Sequence, residues 1–236
     1  FWLMKDDQGF GVIVQTNGYG VSRISTHAIE QDIQAYSTIS DCIMYTRQEE
    51  GHAFLVVIFP AADVTWAFDL AIRQWHKWAS MDNNGVLHRH RSNCYMAVYG
   101  KNVVGDYSNG KLYDLDRNTY TDDGMPIVRL RSFPHIVEGG SLIVFHYLIL
   151  DMQPGTLEGS EVADPPMASL RWSDTGGASW GDPVLISMGA LGQLHTSMKI
   201  GPPLGMARDR VYELSWSVAA KTAINRAWSS HSVMPR

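Results

Sequence analysis

Cysteine is scarce in this sequence of 236 residues, since Cys42 and Cys94 are its only two. Two cysteines are too few for a disulfide framework or a cysteine-rich metal site, so we expect both to be small buried hydrophobic side chains. Long apolar runs are also missing. The longest, residues 53–59, is far shorter than the roughly 18 residues that a membrane-spanning helix needs.

An excess of positive charge is absent as well. The chain carries 19 Lys and Arg against 24 Asp and Glu, which gives a net charge of −5. Proteins that bind nucleic acid need a basic face, so this balance argues against affinity for DNA or RNA. The hydrophobic fraction of 45% is nevertheless sufficient for a packed core. The sequence therefore predicts a globular chain.

A secretory signal is also not recognisable at the start of the sequence. The chain opens Phe1-Trp2-Leu3-Met4, without a charged segment followed by an apolar core. These first residues resemble the middle of a β-strand. We therefore expect the sequence to be the C-terminal part of a longer polypeptide.

An internal repeat of 44–45 residues runs through the first half of the chain. Phe68-Asp69-Leu70 and Tyr113-Asp114-Leu115 are each an aromatic–Asp–Leu step, and each is followed by another aromatic residue, Trp75 or Tyr120. The same spacing relates residues 12–14, 56–58 and 103–104, which are rich in Val and Ile. Short strands at this period are typical of β-propeller blades. A meander with coincidental spacing is the alternative.

The predicted fold class is all-β: a partial β-propeller over residues 1–134, followed by an antiparallel, sandwich-like region over residues 135–236. One helix is expected, from Thr26 to Ser37, with Ile29, Ile33 and Tyr36 on one face. After Pro134 the patterns predict strands over residues 141–151, 167–172, 184–187, 194–200, 210–218 and 222–228, and a surface loop over residues 153–166.

One hairpin motif stands out in the second half. Residues 173–180, Ser-Asp-Thr-Gly-Gly-Ala-Ser-Trp, resemble the Asp-box of sialidases and other β-propellers. In that motif glycine supplies a positive φ, the acid binds turn amides and the Trp covers the hairpin. The markers are Trp172, Ser173, Asp174, Gly177 and Trp180, and the motif's usual Asp position is Thr175 here. The motif therefore predicts a β-hairpin with a structural role and gives no indication of a catalytic site.

Evidence for catalytic or metal chemistry is weak. A sialidase needs three converging arginines, and no arginine here has a distinctive context. Arg129 with Arg131, and Arg208 with Arg210, alternate along strands, which favours salt bridges or interfaces. His88-x-His90 could form part of a metal site, but its flanking residues offer no carboxylate, so an exposed polar loop is the simpler interpretation. We expect no catalytic residues, metal or cofactor.

Two stretches together resemble a known family. The first contains Trp66-Ala67-Phe68-Asp69-Leu70, Trp75-His76 and Leu112-Tyr113-Asp114-Leu115. The second contains residues 170–174 with Gly176, Gly177 and Trp180, then residues 205–213, and Arg129-Leu130-Arg131-Ser132-Phe133-Pro134-His135 lies between them. In this order they resemble the packaged-DNA-stabilisation proteins of short-tailed bacteriophages, also called tail hub or nozzle proteins. Residues 153–166 and the tail after Glu213 depart from the likeness.

The resemblance implies a structural virion protein with no enzymatic activity. Such proteins form a ring, commonly of six subunits, below the portal and its adaptor. The ring retains packaged DNA and forms the channel for its ejection, without binding DNA specifically. The implied location is the virion tail, and the host bacterial cytoplasm during assembly, with no membrane anchor.

Ring formation requires heterologous subunit interfaces. The candidate interface residues are Arg129, Arg131, Arg208 and Arg210, with Trp216 and Trp228 as exposed aromatic anchors. The blade markers are Phe68, Asp69, Trp75, Tyr113, Asp114 and Tyr120. A glycan-directed β-propeller, either a hydrolase or a lectin-like module, is the alternative function, motivated by the Asp-box hairpin and the Trp content.

Overall fold

The computed structural model describes residues 1–153, 166–189, 196–200 and 204–234. The chain divides into two compact units, residues 1–116 and 117–236. Strands dominate both, and within the described ranges the one helix lies in the first unit. The all-β prediction is confirmed. No helix in the described part of the chain is long and apolar enough to cross a membrane.

The first unit consists of antiparallel sheets connected by short turns. Its elements are β1 Trp2–Lys5, β2 Gly11–Asn17, β3 Gly20–Arg23, α1 His27–Gln34, β4 Ile43–Glu49, β5 His52–Phe59, β6 Val64–Asp69, β7 Gln74–Met81, β8 Leu87–Arg89, β9 Ser92–Val98, β10 Lys101–Asp106 and β11 Leu112–Asp114. They form three sheets, which we call the first (β1-β2-β3), second (β4-β5-β6-β7-β8) and third (β11-β10-β9). Each is a meander of sequential strands.

The sequence repeat corresponds to equivalent strands of these sheets. The Val- and Ile-rich segments fall in β2, β5 and β10, each of which is the second strand of its sheet. The aromatic–Asp steps close β6 and β11, each the third strand of its sheet. The period of 44–45 residues therefore reports a recurring sheet, and the predicted propeller repeats are confirmed.

The predicted helix is present but shorter than expected. It spans His27–Gln34, and Thr26 is its N-cap residue by backbone geometry, although the Thr26 side chain makes no capping hydrogen bond. Ile29 and Ile33 are buried and pack in a core with β2 and β5, and Tyr36 packs at the edge of that core. The apolar face of the helix therefore serves internal packing.

The close contact between α1 and β2 predicts a strong effect at Gly11. A Cβ atom at this position would lie 2.7 Å from Ile33 Cγ2 and 3.0 Å from Ile39 Cδ1. We therefore expect Gly11→Ala to lower the free energy of unfolding by about 1–3 kcal/mol through overpacking, as measured by urea denaturation. Gly20→Ala is the control, because the nearest atom to its Cβ lies at 3.7 Å. Equal effects of the two substitutions would contradict the prediction.

The second unit contains short strands, with longer strands at its centre. The described strands are β12 Thr121–Asp122, β13 Met125–Pro126, β14 Arg129–Ser132, β15 Ile136–Val137, β16 Ile143–Gln153, β17 Met167–Ser173, β18 Val184–Ser187, β19 Thr196–Ile200, β20 Met206–Ala207, β21 Asp209–Trp216 and β22 Ala223–Val233. The strands predicted after Pro134 correspond to β16–β19, β21 and β22. Residues 154–165 of the predicted surface loop and residues 194–195 of one predicted strand lie outside the described residues.

Two antiparallel sheets share one core in the second unit. One has the order β14-β21-β17-β18, with β15 also paired to β21. In the other, β16 pairs with β19, β20 and β22. Leu170 and Leu214 from the first of these sheets and Phe145 and Leu150 from the other belong to the same buried cluster. This arrangement matches the sandwich-like region that the sequence predicts.

The structure differs from the sequence-based expectations at Cys94 and at Trp216. Cys94 is exposed and Cys42 is partly buried, so the prediction that both cysteines are buried is wrong for Cys94. On its side of β9 only the first residue, Ser92, is buried, whereas Cys94 and Met96 are exposed. Trp216 is buried and donates from Nε1 to Thr222 Oγ1 at 2.8 Å, so it is not the exposed anchor that was predicted. The compact units divide after Asp116, and the domain boundary at residue 134 stays a prediction.

Candidate interface and its supporting hairpin

The hairpin that follows β17 is held by hydroxyl groups. Ser173 Oγ accepts the amide of Gly177 at 2.9 Å and the amide of Thr175 at 3.3 Å. Gly177 has a φ of 94°, the left-handed conformation that glycine adopts most readily. The ring of Trp180 lies under the guanidinium of Arg171, 4.8 Å away. Thr175 Oγ1, at the motif's usual Asp position, accepts the amide of Ser179 at 2.8 Å. The Asp-box-like motif is therefore a turn in which two hydroxyl groups fulfil the role expected of the acid.

Asp174 has a different partner from the one that its motif suggests. Its two carboxylate oxygens accept hydrogen bonds from Arg210, from Nε at 2.6 Å and from Nη2 at 2.8 Å. The Arg210 side chain is only 1% exposed, whereas that of Asp174 is 41% exposed. A planar guanidinium matches a carboxylate in this bidentate geometry. The pair joins the hairpin to β21.

Aromatic rings complete the surroundings of Arg210. Its guanidinium carbon lies 4.2 Å from the Phe145 ring centroid, and Arg210 Nη1 also donates to the Leu204 carbonyl oxygen. Arg210 therefore lies inside its own unit. This finding corrects the prediction that it is an interface residue and that it shares a strand face with Arg208, because Arg208 is exposed.

The other three candidate arginines lie at or near the surface. Arg129 donates to the Val218 carbonyl oxygen at 2.9 Å, and partial burial lowers its pKa. Arg131 is exposed on β14, an edge strand of its sheet in the described part of the unit. Arg208 bonds the Gly140 carbonyl oxygen. An interface role for these three residues stays a prediction.

A buried carboxylate that the sequence did not indicate lies beside β14. Glu213 accepts from Arg171 Nε at 2.6 Å and from Ser132 Oγ at 3.2 Å, and it is 8% exposed. It therefore connects three adjacent strands, β14, β21 and β17. The pairing register that brings these residues together spans long sequence distances, so no local pattern reveals it.

The blade markers of the second sheet form a compact cluster. Phe68 is buried, and its ring centroid lies 4.9 Å from that of Trp75. Trp75 Nε1 donates to the Ile24 carbonyl oxygen at 3.0 Å, which connects the second sheet to the end of the first. Burial alone would raise the pKa of Asp69. Hydrogen bonds from the Ala71 amide and the His52 side chain together outweigh this effect, so the pKa of Asp69 is lowered.

The markers of the third sheet are less buried. Tyr113 pairs with Val104 and accepts from Asn109 at 3.1 Å, while Asp114 forms an exposed ion pair with Lys101 at 3.0 Å. Tyr120 precedes the short strand β12, which pairs with β13 rather than with β11. Its position therefore differs from that of Trp75, because the third sheet ends at β11.

The histidine pair is also arranged differently from the prediction. His88 Nδ1 lies 2.7 Å from Asp63 Oδ2, and His90 Nδ1 lies 2.8 Å from Ser92 Oγ. The residues that flank His88 in sequence carry no carboxylate, but chain folding brings Asp63 to it from another turn. The interpretation of this segment as an exposed loop is wrong for His88, which lies in β8 and pairs with Ser80 of β7. In the part of the chain that the structure describes, no group of three or more His, Cys, Asp or Glu side chains could hold a metal ion.

Comparison with known proteins supports the interpretation of the first unit. No curated protein matches the sequence. Residues 1–120 match the phage-stabilisation family described as bacteriophage P22 Gp10, beta-propeller. The match covers 120 of the 236 residues and includes all three sheets of the first unit. The chain therefore belongs to this family of phage structural proteins, which stabilise packaged DNA.

Proposed function

We propose that the protein is a subunit of a ring-forming hub, or nozzle, in the tail of a bacteriophage. The ring lies below the portal and its adaptor, retains the packaged DNA and provides the path for its ejection. Six copies form the ring, the interfaces perform no chemistry, and the protein is located in the virion tail. The observation that carries this proposal is the family match over the sheets of residues 1–120.

The charge balance supports a conduit rather than a DNA-binding protein. The net charge is −5, and a channel that releases DNA must not hold its phosphates. Ring closure needs two different complementary surfaces on each subunit. On the second unit, Arg131 and Arg208 are exposed, and Trp228 is 46% exposed with the Arg226 guanidinium 5.4 Å from its ring. Tryptophan and arginine are typical anchors of protein interfaces.

The glycan-directed alternative gains no support from the hairpin that motivated it. Asp174 there pairs with Arg210, and the hydroxyls of Ser173 and Thr175 bind turn amides. These contacts account for the motif as a structural turn. We therefore retain the hub as the proposed function.

The decisive measurement is the mass of the protein in solution, by light scattering, with and without a portal–adaptor complex. A ring, or a monomer that assembles only on the adaptor, is the expected result. A monomer that is indifferent to the complex, together with turnover or binding of a glycan, would overturn the proposal.

One substitution tests the candidate interface directly. We expect Arg131→Glu to reduce assembly on the adaptor by about tenfold or more, because reversing an interface charge creates repulsion worth a few kcal/mol. The thermal stability of the free protein should change little, since Arg131 is exposed. Lys5→Glu, which reverses an exposed charge on β1, is the control. Unimpaired assembly of the Arg131 variant would remove this residue from the interface.

A further inference from the structure

A cluster of charged groups surrounds His88 at one end of the second sheet. The imidazole lies between two carboxylates, with Nδ1 2.7 Å from Asp63 Oδ2 and Nε2 3.6 Å from Asp82 Oδ2. Asp63 belongs to the turn between β5 and β6, and Asp82 follows β7. A single side chain thus bridges two separate turns.

The carboxylate of Asp63 also anchors the residue next to His88. Its Oδ1 accepts the backbone amide of Arg89 at 3.0 Å, and Asp63 itself has a left-handed φ of 54°. The Arg89 guanidinium lies 3.8 Å from the ring centroid of Tyr107, which follows β10. The contact from Asp63 through Arg89 therefore joins the second sheet to the third.

The protonation state of His88 decides how many of these contacts it can make. An imidazolium carries a positive charge, which attracts both carboxylates, whereas the neutral ring has no charge for Asp82 and one N–H to donate to Asp63. The hydrogen bond to Asp63 is the largest effect on His88 and raises its pKa, burial acts to lower it, and Asp82 raises it further. Arg89, Arg91, Asp106 and Tyr107 are further ionisable groups around it. Burial is the largest effect on the phenol of Tyr107 and raises its pKa, and Asp63 raises it further.

We propose that His88 is a pH-dependent clasp, which in its doubly protonated form holds the turns at Asp63 and Asp82 together and stabilises the junction between the second and third sheets. Deprotonation releases Asp82 and leaves two carboxylates beside a neutral ring. Because the pKa of His88 is higher in the folded state, its stabilisation is complete below about pH 6.5 and is lost as the pH rises through the folded-state pKa. The clasp is independent of the proposed function.

Two NMR measurements on the whole chain test the clasp. The imidazole of His88 should titrate above pH 6.5, its ordinary value. Protection of the Arg89 amide from hydrogen exchange, corrected for intrinsic rates, should fall between pH 5.5 and pH 8.5. The expected loss is about tenfold for each unit by which the folded-state pKa exceeds the ordinary value.

Variants separate the clasp from a merely structural histidine. In His88→Gln the pH dependence of Arg89 protection should disappear. His52→Gln is the control and should retain it, because His52 pairs with Asp69 at 2.8 Å and not with Asp63 or Asp82. If His88→Gln does not fold, Asp82→Asn serves instead and should move the titration of His88 to lower pH. Titration of His88 at or below pH 6.5, pH-independent protection in the unmodified protein, or pH dependence that persists in His88→Gln would overturn the proposal.

Discussion

Replacing Arg210 with alanine is expected to lower the free energy of unfolding of the second unit by about 3–5 kcal/mol. The side chain is 1% exposed, so its removal leaves a cavity beside Phe145 and deprives the Leu204 carbonyl oxygen of its donor. It also breaks the bidentate pair with Asp174, which anchors the hairpin. Urea denaturation followed by tryptophan fluorescence and circular dichroism measures the loss.

Two companion variants isolate the cause of this loss. Arg208→Ala removes an exposed arginine two positions earlier and should change the stability by no more than about 1 kcal/mol. Arg210→Lys keeps the positive charge but loses the planar fork, so its stability should fall between those of the unmodified protein and the alanine variant. If Arg210→Ala and Arg208→Ala had equal effects, the buried pair would not support the hairpin.

Replacing Phe59 with alanine should destabilise the first unit by a comparable amount, about 3–5 kcal/mol. Phe59 is fully buried at the end of β5, and its ring centroid lies 5.1 Å from that of Tyr36. The cavity left by the ring would lie in the core shared by α1, β2 and β5. Because these elements belong to the first and second sheets, we expect the packing of both to weaken.

The same denaturation experiment measures the effect of Phe59→Ala. Tyr99→Ala is the control, since the ring of Tyr99 is almost completely exposed at the turn between β9 and β10, and its loss should change the stability by less than about 0.5 kcal/mol. A loss below about 1 kcal/mol for Phe59→Ala would show that the core of the first unit collapses around the missing ring.

Local patterns were sufficient to predict the repeated sheets. The Val- and Ile-rich segments at a period of 44–45 residues fall on the second strand of each sheet. The aromatic–Asp steps fall on the third strand of the second sheet and of the third sheet. These features depend on residues close in sequence, because each strand pairs with its neighbour through a short turn. The helix was predicted for the same reason, from the spacing of Ile29 and Ile33.

Features set by distant pairing could not be predicted. The sequence places Arg210 on a strand near Arg208, but only the packing of β17 against β21 shows that Arg210 meets Asp174 inside the unit. His88 likewise lies next to Asp63 only through chain folding, because Asp63 belongs to the turn before β6, whereas Asp82 is close in sequence, in the turn between β7 and β8. Alternation along a strand indicates two faces, but it does not indicate which face the rest of the chain covers.

The pairing of strands also sets the order in which the two units can complete their folds during synthesis. In the first unit every strand pairs with one made immediately before or after it, so each sheet can form soon after its residues leave the ribosome. In the second unit β16 pairs along its length with β22, and β14 with β21. One side of β16 therefore stays unpaired until β22 has been synthesised.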